Sequence, residues 1–93
     1  MRLTWTAAAT ADRNLILDYI AADSLRAALA VDERIVASVD RLRWFPRSGR
    51  IGRVDGTLEL VVSDAPYVAI YALIEDEVRI LRVLHGARQW PDE

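Results

Sequence analysis

Residues 78–91 read VRILRVLHGARQWP. Val78, Ile80, Leu81, Val83 and Leu84 form an apolar, β-favouring run. Arg82 stands near its middle, and His85, the only histidine of the chain, closes it before Gly86, Ala87, Arg88 and Trp90. A buried strand is filled with side chains that pack, so an arginine and a titratable ring within it demand partners. Either the segment carries a site, or it is a sheet edge whose arginine meets a carboxylate such as Glu59. Alternation aligns Arg82 with Ile80 and Leu84, and His85 with Leu81 and Val83.

Upstream of this strand the pattern repeats. Residues 67–74, YVAIYALI, are β-branched and aromatic, and residues 58–62 are apolar around Glu59. Glu75, Asp76 and Glu77 form a hairpin turn between the last two strands. Residues 50–54 can add a further short strand. Before them, Phe45, Pro46, Arg47, Ser48 and Gly49 have loop chemistry, and Pro46 stops what precedes it. That preceding half is helical. Ala28, Val31, Ile35, Val39 and Leu42 make a stripe at three-four spacing behind a Ser24 N-cap. Ala8, Ala11, Leu15, Ile16, Tyr19 and Ile20 make another behind Thr6, ending near Ala22. Tyr19 reads as packing. Leu3 and Trp5 alternate with polar residues as a first strand. The order is βααβββ: an α+β fold, one domain over residues 1–93, with an N-terminal strand and an antiparallel helix hairpin packed on an antiparallel sheet.

Composition narrows the function. The chain has 93 residues, 53% hydrophobic and 28% charged, which suits one core in water. It has no cysteine, so neither a disulfide framework nor a thiolate metal site is available. No apolar run approaches a membrane span and the N-terminus lacks a signal-peptide layout, so the expected location is the cytoplasm, with no metal and no cofactor. All 12 basic residues are arginine. The net charge of −2 argues against bulk electrostatic binding of long nucleic acid. The distribution is uneven, however. Arg41, Arg43, Arg47, Arg50 and Arg53 come without an acid between them, as do Arg79, Arg82 and Arg88. Together they would make one basic patch if the fold brings them close.

Several of these segments in this order resemble the RelE/ParE superfamily of type II toxin–antitoxin toxins, and the ParE-like members most. The likeness rests on Leu15, Tyr19 and Ile20, on FPRSGR at 45–50, ELVV at 59–62 and PYVAIY at 66–71. It is strongest in ILRVLHGARQW at 80–90. The resemblance implies a toxin that arrests growth and a role in plasmid stabilisation. It also implies a ParD- or RelB-like antitoxin whose flexible C-terminal segment wraps the toxin in a hetero-oligomer. ParE-type members poison DNA gyrase; RelE-type members cleave mRNA in the ribosome. A third alternative is an inactive relative that only binds antitoxin.

Metal-free RNA cleavage would need a base, a proton donor and cations around the phosphate. Arg82, His85 and Arg88 are the candidates, with Arg50 or Arg53 as phosphate ligands and a hydroxyl from Tyr67 or Tyr71. Against this, the strand at residues 67–71 has no cation and the chain has no lysine, whereas many RelE-type nucleases carry extra basic residues there. The sequence therefore favours gyrase poisoning without nuclease chemistry. Arg47, Arg50, Arg53, Arg82, Arg88 and Trp90 are the candidates for a partner-binding or anion-attracting surface. Trp5, Trp44 and Trp90 read as core or partner-facing anchors.

Overall fold

The computed structural model describes residues 1–88, 90 and 91. Strand β1 (Arg2–Trp5) leads to helix α1 (Ala7–Ala21) and helix α2 (Leu25–Asp40), which ends in a 3₁₀ turn at Arg41–Arg43. Strands β2 (Arg50–Ile51), β3 (Leu58–Val61), β4 (Tyr67–Ile74) and β5 (Glu77–His85) follow. The sheet order is β1-β5-β4-β3-β2. Three ladders are antiparallel, as expected from the meander, but β1 runs parallel to β5, so the sheet is mixed. Two helices between β1 and the meander supply the crossover that a parallel neighbour requires.

The expected caps are in place. Thr6 accepts from the Ala9 N–H at 3.1 Å, and Ser24 accepts from the Ala27 N–H at 3.1 Å. The α2 stripe also faces inward: Ala28, Ile35, Val39 and Leu42 are buried and Val31 partly so. Helix α1 differs from its expected stripe. Its inner face is Ala9, Asp12, Ile16 and Ile20, while Leu15 is 67% exposed and Tyr19, expected to pack, is 79% exposed. Alanines spread round α1 leave its inner face without a clear apolar signature in the sequence.

One sheet face holds the core, with Leu3 and Trp5, Val78, Ile80 and Val83, Ala69 and Tyr71 turned to the helices. The spacing 78, 80, 83 departs from strict alternation because the β4–β5 register jumps. Ile70 pairs with Arg82 but Tyr71 with Ile80, leaving Leu81 as an extra residue. Such a bulge lets Ile80 and Val83 both face inward and turns Arg82 to the opposite face from Ile80. The expected alignment of Arg82 with Ile80, and of His85 with Leu81, is therefore broken at Leu81; Arg82 keeps its alignment with Leu84, and His85 with Val83.

Tyr71 ties the loop after the helices to the sheet. Its hydroxyl donates to the Pro46 carbonyl at 2.7 Å and accepts from the Gly49 N–H at 3.0 Å. Gly49 lies so close that a Cβ there would come within 2.6 Å of that oxygen. Burial pushes the Tyr71 phenol above its ordinary 10.0, against smaller opposing effects of the Gly49 hydrogen bond and of Arg47. Replacing Tyr71 by Phe should cost about 1–3 kcal/mol in urea denaturation, because both loop groups lose their partner.

At the β1–β5 seam, Glu77 accepts from Arg79 at 2.8 Å and from the Thr4 hydroxyl at 2.6 Å, with Arg2 at 3.5 Å. The Arg79 bond first, then Thr4, holds its carboxyl below the ordinary 4.5. A depressed acid stabilises the fold above its unfolded value and loses that contribution as pH falls through the folded one. Stability should therefore drop below pH 4.5, and Glu77→Gln should flatten that part of a denaturation-against-pH profile.

Candidate functional site

Strand β1 ends at Trp5, opposite Ile80, while β5 continues to His85. Beyond Ile80 the edge of β5 is finished by α1 instead of a strand. The Thr6 N–H donates to the Ile80 carbonyl at 3.0 Å, and the Thr6 hydroxyl donates to the Leu81 carbonyl at 3.0 Å. Two turns further along α1, Asp12 Oδ2 accepts from the Val83 N–H at 2.9 Å. The same carboxylate takes a bidentate pair from Arg82, Nε to Oδ2 at 2.7 Å and a terminal nitrogen to Oδ1 at 2.9 Å. Asp12 is only 7% exposed. Buried carboxylates persist where charge and hydrogen bonds both compensate them, and here they do.

Arg82 thus pairs with Asp12. Glu59, offered from sequence as its partner, is taken by Arg50 at 3.2 Å and by the Arg53 backbone N–H at 3.2 Å. Asp12 and Arg82 are 70 residues apart, which leaves no local sequence signal, so this contact was not readable from the pattern.

The candidate side chains fall on two faces. Register places Arg82 with Ile70 and Leu84 with Val68 on the face away from the helices. His85 lies opposite Tyr67 on the helix side, their rings edge to face with centroids 5.7 Å apart. His85 Nδ1 accepts from the Ala87 N–H at 3.1 Å, so its neutral ring carries the proton on Nε2. Burial and the neighbouring Tyr19 push the Tyr67 phenol above its ordinary 10.0. Tyr71 is occupied by the loop.

After His85 the chain turns, with the Gly86 N–H on the Pro66 carbonyl at 2.8 Å, and brings Trp90 over the outer sheet face. Arg82 Cζ lies 5.9 Å from the Trp90 ring centroid, within cation–π range. Trp90 joins Ile70, Leu84, His85, Arg50, Arg53 and Arg88 round one recess, so the two basic segments of the sequence do meet in space, and His85 borders this recess as well as the helix side. The recess has about 20 Å³ of open volume, room for about one water molecule. Arg47 instead sits in the loop near Tyr71. Trp5 packs against the core and under Arg13, whose Cζ is 4.7 Å from its ring, while Trp44 is exposed. Among the described residues, no group of three or more histidine and carboxylate side chains gathers for a metal. No described helix is long and apolar enough to cross a membrane.

A groove of about 520 Å³ lies on the other side of β5, between α1 and the sheet. Leu15, Ile16 and Tyr19 form one wall, and Tyr67, Val83 and His85 form the other. The exposure of Leu15 and Tyr19, misjudged from sequence, is what makes this groove apolar.

Two helices laid on one face of a five-stranded mixed sheet make an α+β fold that matches those of ParE and RelE toxins. The family described as the ParE toxin of the type II toxin–antitoxin system parDE matches residues 3–90, and the chain belongs to it. The Y4kP protein of Sinorhizobium fredii is 43% identical over 90 residues, 97% of this chain and 93% of that protein. Toxin RelE2 of Caulobacter vibrioides is 36% identical over 87 residues, 94% of this chain and 97% of that toxin. Among solved structures, a chain of the chromosomal ParDE system from P. aeruginosa superposes with a TM-score of 0.83 at 31% identity, covering 91% of this chain and 95% of that one. A chain of the RelBE2 toxin–antitoxin complex from Mycobacterium tuberculosis gives 0.59 at 26% identity, covering 94% and 92%. This chain is a type II toxin–antitoxin toxin.

The Asp12–Arg82 contact predicts a clear mutational signature. Asp12→Ala should cost about 1–3 kcal/mol, since it leaves the Val83 N–H without its acceptor and removes the bidentate pair to Arg82. In a double-mutant cycle by chemical denaturation, Asp12→Ala and Arg82→Ala should couple by about 1 kcal/mol or more. Glu59→Ala and Arg82→Ala, two strands apart, should add within about 0.5 kcal/mol.

Proposed function

We propose that this toxin arrests growth by binding DNA gyrase as a protein target, without cutting mRNA, and that a ParD-like antitoxin neutralises it. One observation carries the reading. Arg82 lines neither the recess nor the groove that His85 and Arg88 line together. Arg82 and His85 belong to opposite faces of the sheet, Arg82 is held bidentately by Asp12, and the recess beside Arg50 and Arg53 is water-sized. Nuclease chemistry needs its base, acid and cations within hydrogen-bond reach of one substrate geometry. The higher structural similarity to the ParDE chain than to the RelBE2 chain supports the same reading.

Expression of the chain in bacteria without antitoxin should give filamentation and DNA-damage signalling, and the purified protein should trap gyrase on cleaved DNA. Translation arrest with cut transcripts would favour the nuclease instead, and unimpaired growth the inactive relative.

The α1 groove supports antitoxin capture. Its apolar floor and exposed Leu15 and Tyr19 suit the apolar face of a partner helix. Because both side chains are exposed, the double variant Leu15→Asp, Tyr19→Asp should fold normally. It should weaken antitoxin binding roughly ten- to hundredfold by calorimetry, as loss of central aromatic and aliphatic anchors does. Undiminished affinity would move the antitoxin to another surface.

A further inference from the structure

The outward face of α2 has features that neither the core nor the described recesses use. Leu25 is 62% exposed and Leu29 is 50% exposed, near the start of a helix whose opposite face is fully packed. Arg26, Ala30 and Glu33 share a shallow groove with them. Neither Arg26 nor Glu33 has an ion-pair partner among the described residues. They are seven residues apart, about 10.5 Å along the axis, which is too far for them to pair with each other.

This spacing is self-complementary. When two copies of α2 pack antiparallel about a two-fold axis between Leu29 and Ala30, Arg26 of each copy meets Glu33 of the other. Leu29 of each then lies over the small side chain of Ala30, which lets the helices approach closely. An isologous interface requires this reciprocity, in which a residue and its counterpart exchange roles across the axis. We propose that α2 is a homodimer face, and that its occupant is a second copy of this chain. The face shares no residue with the α1 groove or with the outer-face recess, so both stay open in each copy.

The expected dimer is weak. Helix α2 has 16 residues, about 24 Å of length, and a single helix pair of that size buries less than a standard stable interface. Dissociation in the micromolar range, strengthened at low salt, is the expected behaviour.

Sedimentation of the full chain, freed of antitoxin, over roughly 5–500 µM tests this across that range. The weight-average mass should rise from one chain toward two. Arg26→Glu alone and Glu33→Arg alone should each weaken the dimer roughly tenfold or more, since each places two like-charge contacts across the axis. An equal mixture of those two variants should associate again, because the two acids of one copy then face the two arginines of the other. Circular dichroism on each variant reports that the helices are intact. A wild-type mass that stays at one chain overturns the proposal. So does a dimer that both charge variants leave unchanged, or a mixture that stays monomeric.

Discussion

Strand β1 is four residues long and β5 is nine, and that mismatch shapes the molecule. A parallel neighbour that stops early leaves unpaired backbone groups on the longer strand, and buried groups of that kind are costly. The chain resolves this with the start of α1. Thr6 serves as helix cap and as hydrogen-bond donor to the strand edge at once, and Asp12 takes the Val83 N–H. Arg82 then neutralises the carboxylate that this role buries. The position of α1 against β5 follows from these contacts, and so does the groove between them.

The same arrangement explains how a chain of charge −2 presents a basic surface. On the outer sheet face the buried acids, Glu59 and Glu77, are each already held by arginine. Arg2, Arg50, Arg79 and Arg82 share that face, with Arg53 and Arg88 beside the recess. Acids of α1 and α2 such as Asp18 and Glu33 lie on exposed helix positions, on the other side of the sheet. Charge separation between layers, invisible in the net value, creates a local field that can orient an anionic partner segment.

Apolar exposure is divided as clearly. Leu15 and Tyr19 line a groove closed on its far side by Tyr67 and Val83, a shape for a partner's side chains to enter. Leu25 and Leu29 border a shallow groove along a single helix, a shape for another helix to lie along. Leu84, His85 and Arg88, at and just beyond the end of the β4–β5 ladder, border both the α1 groove and the recess under Trp90.

The sequence by itself determined the element order, the two N-caps at Thr6 and Ser24, the α2 stripe and the family. These are written in short-range spacing: three-four recurrence, alternation, a capping hydroxyl, a loop proline. It also marked Arg82 and His85 as residues needing an explanation. Only the tertiary structure decided what that explanation is. The bulge at Leu81 breaks the alternation from which faces were read, and no local pattern announces a bulge. The partner of Arg82 is 70 residues away on an alanine-rich helix whose inner face has little contrast in hydropathy. Periodicity can say which residues share a face of one element. Which face meets which is settled by packing between elements, and that is where Asp12 displaced Glu59 and Tyr19 moved from core to surface.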